Sequence, residues 1–304
     1  MERFASGWKR NYYGKGDVTV YRLHRGGAVP EGCCPVFGAN VIMLLYGDAF
    51  WPTYTTGDNT NLVATDSMKN FIQRETLNYT GFHLESYCRF LCDKFLATYP
   101  HTAGAQVSAS EIPYSGVAES HMAFAPAGPD RAFARVEMGR SADGLNIVEA
   151  RSGIRGFRLL RLGGSAFHGF VRDQYTTLPD IKNRPLHMWL DVEWSYTSFE
   201  AAFQDAAAFQ GAASPQDRAA SQEAAAKSVR RIVHDVFAAF ESGSIQEVIY
   251  QIGCRVLEDI PTISQIDLEA NNRTWDTIVE QGDLMGVYTD SRPPYGCLGL
   301  SLRR

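Results

Sequence analysis

The chain has 304 residues, of which 45% are hydrophobic, 12% aromatic and 21% charged, and its formal net charge is −5. That is a globular composition, with apolar mass for a sizeable core and length for two domains. The acidic balance argues against nucleic acid as a main partner, and no apolar run approaches the ~18–20 residues of a membrane-spanning helix.

In chain order, the string Tyr13-Gly14-Lys15-Gly16 reads as a turn, and Val18, Val20, Tyr21 and Leu23 after it read as an early strand. Val41 to Tyr46, between Gly38 and Gly47, reads as a buried strand. Asp66 to Ile72 carries a helix-start signal, and Leu84 to Tyr99 repeats apolar residues at helical spacing. Alternation at Gln106 to Ser115 and at Ala132 to Met138 completes a strand-strand-helix-helix-strand-strand order.

After the polar break at Ser141 to Gly144 the same order recurs without visible repetition of residues. Leu145 to Leu162 is strand-like, and Met188 to Tyr196 alternates, with Trp189, Val192 and Trp194 as its apolar members. Phe199 to Gln210 reads as a helix stopped by Gly211. Ser214-Pro215 starts another, whose face carries Val229, Ile232, Val233, Val236, Phe237 and Phe240. The Ala-rich composition favours helix over linker. A helix over Ile245 to Glu258 and strands at Ile263 to Leu268 and Gly296 to Leu302 close the series. The expected fold is α+β: two units, residues 1–143 and 144–304, each a four-stranded antiparallel sheet with two helices on one face. A sheet covered on one face predicts oligomerisation.

The six cysteines are sparse and lack paired CxxC blocks. Cys88 and Cys92 stand four apart on a predicted helix, and metal binding there would need two further ligands that no neighbouring Cys or His supplies. They read as reduced structural thiols. No apolar signal region opens the chain and no peroxisomal Ser-Lys-Leu follows Ser301-Leu302-Arg303-Arg304, so a cytoplasmic location is expected.

Chemistry concentrates in a few strings. Lys15 adjoins the first strand, and Val63 to Asn70 lies where backbone N–H groups of Thr65 and Asp66 are free at a helix start. Phe167 to Leu178 is dense in aromatic and polar groups, and Arg184 follows. Together with YGKGDVTVYRLHR, NLVATDSMKN, SIQEVIY, NNRTWD and RPPYG, these strings resemble the urate oxidase (uricase) family over nearly the whole chain. The ATDSxKN and GFxRDxYTTL patterns are the most specific of them.

The resemblance implies two tandem tunnelling-fold domains in a homotetramer with active sites at subunit interfaces. It also implies oxidation of urate by O₂ and water to 5-hydroxyisourate and hydrogen peroxide, with no metal and no organic cofactor. By the same resemblance Arg184 and Gln246 clamp opposite edges of the substrate and Phe167 stacks on its face. The N–H groups of Asp66 and Ile245 complete the polar rim, and Leu298 forms an apolar wall. Lys15 is the base, Thr65 passes protons, and Asn271 holds O₂ or water over the ring. A guanidinium and an amide suit the edges of a flat anion, and deprotonating urate makes it a better electron donor to O₂.

The chain departs from the family pattern at Arg273, where a relay histidine often stands. An arginine stays charged at neutral pH. Two placements are expected for it: a fixed cation near Lys15 and Thr65, or an outward ion pair with water completing the relay. His168 is a substitute relay group by sequence proximity alone. Two other functions compete with the oxidase, a non-catalytic purine binder that kept the clamp and another tunnelling-fold enzyme acting on pterins.

Overall fold

The computed structural model describes residues 11–26, 29, 33–118, 120, 122–203, 225–239, 241–273, 275–282, 285–290 and 293–304. The chain divides into two compact units, residues 1–152 with 196–224, and residues 153–195 with 225–304.

In the first unit, β1 (Tyr13–Leu23), β2 (Val36–Tyr46), β3 (Gly104–Glu111) and β4 (Arg131–Ser141) pair antiparallel in sequence order, and the start of β5 (Gly144–Phe167) follows β4. Helices α1 (Thr65–Asn78) and α2 (Leu84–Thr98) lie between β2 and β3 in the chain. Alternation positions the core: Ala39, Val41, Met43 and Leu45 of β2 are wholly buried and meet Tyr87, Cys88, Leu91, Cys92 and Phe95 of α2 in one cluster. Burying a large apolar side chain stabilises by about 1.5–3 kcal/mol, so this cluster dominates the unit's stability. Burial pushes the thiols of Cys88 and Cys92 well above their ordinary range, and both sulfurs donate to strand carbonyls, Cys92 to Val136 at 3.6 Å. All six cysteines are unbridged, and the environment of this pair makes it inert.

The second unit repeats the order. The remainder of β5, then β6 (Ile181–Tyr196), β7 (Ile263–Asn272) and β8 (Gly296–Arg303) are neighbours in sequence order. Helices α3 (Ala225–Ala239) and α4 (Ile245–Asp259) lie between β6 and β7 in the chain. On α3, Val229, Ile232, Val233 and Phe237 are buried as expected, whereas Val236 is half-buried. On β6, Leu186, Met188, Leu190, Val192 and Trp194 face the core. Trp189 therefore alternates to the opposite face from Val192 and Trp194, which corrects the grouping of the three.

Other differences have local causes. Tyr13 to Gly16 is strand, not turn: it pairs with β2 and is interrupted by a bulge between Lys15 and Val18. A methyl at Gly14 would run into the Met43 carbonyl, so the glycine serves close strand approach instead of reversal. A short helix at Trp51–Thr55 and two small ribbons, Tyr114–Gly116 with Phe124–Pro126 and Thr277–Gln281 with Met285–Tyr288, add to the expected elements. The expected helix from Phe199 is described only over Phe199–Ala202. Its remainder, Gly211, Ser214-Pro215 and Phe240 lie outside the described residues. Among the described residues no helix is long and apolar enough to cross a membrane.

Candidate active site

In the first unit, Lys15 sits half-buried on β1 opposite Met43, immediately before the bulge. The bulge residue Asp17 has φ 58°, and its carboxylate accepts from Asn40 Nδ2 at 2.6 Å. A bulge re-aims neighbouring side chains, and this one follows the lysine directly. Tyr13, two residues earlier on the strand, accepts the N–H of Val63 at 2.9 Å and packs edge-on against Phe50 with ring centres 4.9 Å apart. Burial pushes the Tyr13 phenol up to about 12. Val63 precedes Thr65 by two residues, so Tyr13 ties the strand bearing Lys15 to the chain entering α1.

Ala64 caps α1 without a side-chain bond, and the N–H groups of Thr65 and Asp66 meet no acceptor among the described residues. Both residues are exposed. The Asp66 carboxylate accepts from Lys69 Nζ at 2.6 Å and from Asn70 Nδ2 at 2.9 Å. Lys69 holds it below the usual carboxylate range, with smaller help from Asn70 and from the charge of Lys15. Lys15, Thr65 and Asp66 thus share one neighbourhood.

In the second unit a backbone junction gathers the expected clamp. Gly164 N donates to Asn183 Oδ1 at 2.7 Å, which sets the end of β5 beside the start of β6. Ser242 N donates to Gly164 O at 2.9 Å and Ala166 N to Ser242 O at 2.8 Å, which brings the chain entering α4 to the same place. Phe167, Arg184, Ile245 and Gln246 flank these bonds. Phe167 stacks on Phe170 at 5.0 Å and 14°. Arg184 is half-buried, with its Nε shielded and without a partner among the described residues, and burial lowers its basicity. Ser244 Oγ accepts from Glu247 N at 3.2 Å, and the Glu247 carboxylate accepts from Gly243 N at 2.8 Å. That reciprocal cap fixes the first turn and leaves the N–H groups of Ile245 and Gln246 without acceptors among the described residues.

At the far end of the sheet, Asn271 stands across from Cys297 and Leu298 across from the buried Ala270. Adjacent residues alternate, so Leu298 shares the helix-covered face with Arg184 while Asn271 turns to the other. The Cys297 thiol donates to Asn271 Oδ1 at 3.5 Å. Arg273 N donates to His187 O at 3.2 Å. Its guanidinium lies between two rings, 4.3 Å from the Trp189 centroid and 3.8 Å from that of Tyr295. Among the described residues Arg273 makes no ion pair, and aromatic faces lie where a carboxylate would. His168 is exposed. From sequence Trp189 is read only as an apolar member of its strand, Tyr295 only within the RPPYG string, and His187 not at all, although the odd-numbered parity of β6 sets Trp189 and His187 off the core face.

Unpartnered N–H groups beside a planar cation can grip the acceptor-rich edge of a flat anion. Among the described residues no group of three or more His, Cys, Asp or Glu side chains could hold a metal ion. Two consecutive ββααββ units with this arrangement define a tandem tunnelling-fold protein.

Comparison with known proteins narrows the class. The uricase family model matches residues 11–137 and 150–297, one stretch for each half. The chain is 37% identical over 94% of its length to the uric acid degradation bifunctional protein of Bacillus sp. (strain TB-90), and spans 58% of that protein. It spans 59% of the Bacillus subtilis bifunctional protein PucL, at 35% identity, so it covers somewhat over half of these relatives. With the uricase of Halalkalicoccus jeotgali it shares 36% identity over 93% of both chains. The crystal structure of Bacillus sp. TB-90 urate oxidase superposes with a TM-score of 0.84 at 36% identity over 97% of this chain and 100% of that one. A uricase structure from Bacillus fastidious gives 0.82 at 34% identity, over 97% and 94%. The chain belongs to the uricase family.

Proposed function

We propose that the chain is a urate oxidase. The observation that carries this reading is the convergence of Phe167, Arg184 and the free N–H groups of Ile245 and Gln246 on one backbone junction, within a chain whose two halves both match the family. The reaction removes two electrons from urate and gives them to O₂, which leaves as hydrogen peroxide, while water supplies the hydroxyl of 5-hydroxyisourate. Arg184 grips one edge of the ring, Gln246 the other, and Phe167 stacks on its face. Leu298 and the N–H groups of Ile245 and Asp66 complete the surround. Aromatic stacking adds about 0.5–1.5 kcal/mol beyond burial.

Lys15 removes the proton that makes urate a good electron donor, and Thr65 carries it onward. Asn271 orients O₂ or water. Arg273 cannot relay a proton, so its part is that of a fixed positive charge held between two rings. The site works without metal or organic cofactor, in a homotetramer whose neighbouring chains complete each other's sites.

The test follows urate absorbance, O₂ consumption and peroxide together, with and without a chelator. Stoichiometric loss of urate and O₂ under chelation supports the reading. Urate binding without O₂ consumption would instead define a non-catalytic purine binder, and turnover of pterins alone a different enzyme. Mixing Lys15→Met with Arg184→Ala chains tests site sharing: partial activity returns after subunit exchange if each site draws on two chains.

A further inference from the structure

The loop joining β5 to β6 packs a second aromatic ring against Phe167. Phe167 ends β5, and Phe170 lies three residues on, beyond Gly169, whose φ of 73° bends the chain in a way that suits glycine. The two rings lie nearly parallel, at 14°, with centroids 5.0 Å apart. The Arg172 guanidinium rests against Phe170, 4.9 Å from its centroid. Both rings are half-buried, whereas Val171 to Tyr175 are exposed.

Little of this loop is buried, so polar bonds hold its shape in place of core packing. Asp180, just before β6, accepts from Gly169 N at 3.3 Å and pairs with Arg172 at 3.1 Å. Arg172 also donates to Leu178 O at 3.3 Å. Asp173 closes the intervening turn, its carboxylate accepting from Tyr175 N at 2.9 Å and from Thr176 Oγ1 at 3.0 Å. One carboxylate, Asp180, thus fixes both the backbone bend ahead of Phe170 and the cation that rests on it.

A flat substrate stacks well only on a ring that keeps one plane, and a half-exposed phenyl ring turns about its side-chain torsions unless something packs on it. A ring has two faces, and Phe170 covers one of them. We propose that Phe170, held by Arg172 and Asp180, is a positioning residue that fixes the plane of Phe167 and leaves its other face for the substrate. Phe170 acts through Phe167 alone, so the proposal rests on the reading of Phe167 as the ring on which urate stacks. If Phe170 instead stood on the face that urate takes, it would compete with the substrate, and its removal would have the opposite sign.

Equilibrium dialysis of urate against the full chain without O₂ measures binding whether or not turnover follows, and steady-state kinetics add kcat and KM. Phe170→Leu keeps apolar bulk and removes the flat face. It should weaken binding and raise KM by roughly 2–10-fold while kcat changes by less than about twofold, because the stack holds substrate and transition state alike. Phe170→Tyr, which keeps the face, stays near wild type in both. Arg172→Met leaves both rings and removes the cation, so it shifts KM in the same direction by a smaller factor, and it carries the test if Phe170→Leu folds poorly. Tighter urate binding in Phe170→Leu would overturn the proposal and put Phe170 on the substrate's face. Binding unchanged in both Phe170→Leu and Arg172→Met would also overturn it. A wild type that bound no urate would remove the clamp reading and the proposal with it, whereas binding without O₂ consumption would overturn the oxidase alone, since the change in Kd still decides what Phe170 does.

Discussion

The two units share one topology and treat their polar groups differently. In the first, several buried polar groups close on one another, although Thr102 Oγ1 and Gln106 Nε2 are shielded without a partner among the described residues. Arg135 Nε meets Glu149 Oε2 at 3.2 Å, Tyr46 donates to Glu137 Oε1 at 3.0 Å, and Glu85, Ser152 and Tyr196 form a ring of hydrogen bonds, the shortest 2.6 Å. In the second, Arg184, Arg273, Trp189 and Trp275 keep shielded nitrogens without acceptors among the described residues. A satisfied buried network holds a fold, whereas unsatisfied donors are tolerated where something else supplies the acceptor. Among the described residues the second unit thus leaves more shielded nitrogens open than the first, with Arg184 of the clamp among them.

The largest expected effect is at Lys15 in the first unit, which makes no ion pair among the described residues. Lys15→Met should lower kcat by roughly 10²–10⁴-fold, the scale of general-base catalysis, and leave KM for urate nearly unchanged. Steady-state kinetics at saturating O₂ check it, and a wild-type kcat would remove Lys15 from the chemistry. Arg184→Ala should do the reverse in the second unit. Losing a charged hydrogen-bonding group that holds substrate and transition state alike raises KM by roughly 10–100-fold with a smaller change in kcat. Equal effects on kcat from both variants would erase the contrast between the units.

Much of this architecture was legible from sequence. The ββααββ order and its recurrence follow from alternating and helical apolar spacing, which tertiary packing then used as it stood, as in Val229, Ile232, Val233 and Phe237. What escaped notice depended on partners distant in sequence. The Tyr13 to Gly16 string looks like a turn because glycines punctuate turns, and only the Met43 carbonyl pressing on Gly14 reveals a strand. The exposed ribbon at Thr277–Gln281 and Met285–Tyr288 buries almost nothing, so no burial pattern marks it. At the candidate site, the residues in specific strings were found, while Trp189 and Tyr295 take their meaning from stacking on Arg273, a contact that no local pattern announces.

A smaller effect sharpens the comparison through the backbone. Gly14→Ala forces the β1–β2 pair apart beside Lys15 because the new methyl meets the Met43 carbonyl and Leu44 Cα. Overpacking of this kind costs about 1–3 kcal/mol. The expected outcome is a lower denaturation midpoint together with a reduced kcat, since the strand that shifts carries the base. Unchanged stability would show that the pair has room to relax.

The smallest effect concerns Tyr13, which couples that strand to the entrance of α1. Tyr13→Phe keeps the edge-on packing on Phe50 but removes the oxygen that accepts the Val63 N–H, a loss of roughly 0.5–1.5 kcal/mol. The pH dependence separates this bond from a general packing defect. The phenol titrates at about 12 in the folded chain, against an ordinary 10, because burial disfavours its charged form. A group whose folded value is raised contributes stability that is fully present below the unfolded value and is lost as pH rises through the folded one. The stability advantage of wild type over Tyr13→Phe should therefore be constant below pH about 10 and shrink between about 10 and 12. Denaturant titrations of the two proteins across that window measure the difference directly, and a gap that stays constant to pH 12 would mean that the Tyr13 phenol ionises no later in the folded chain than in the unfolded one.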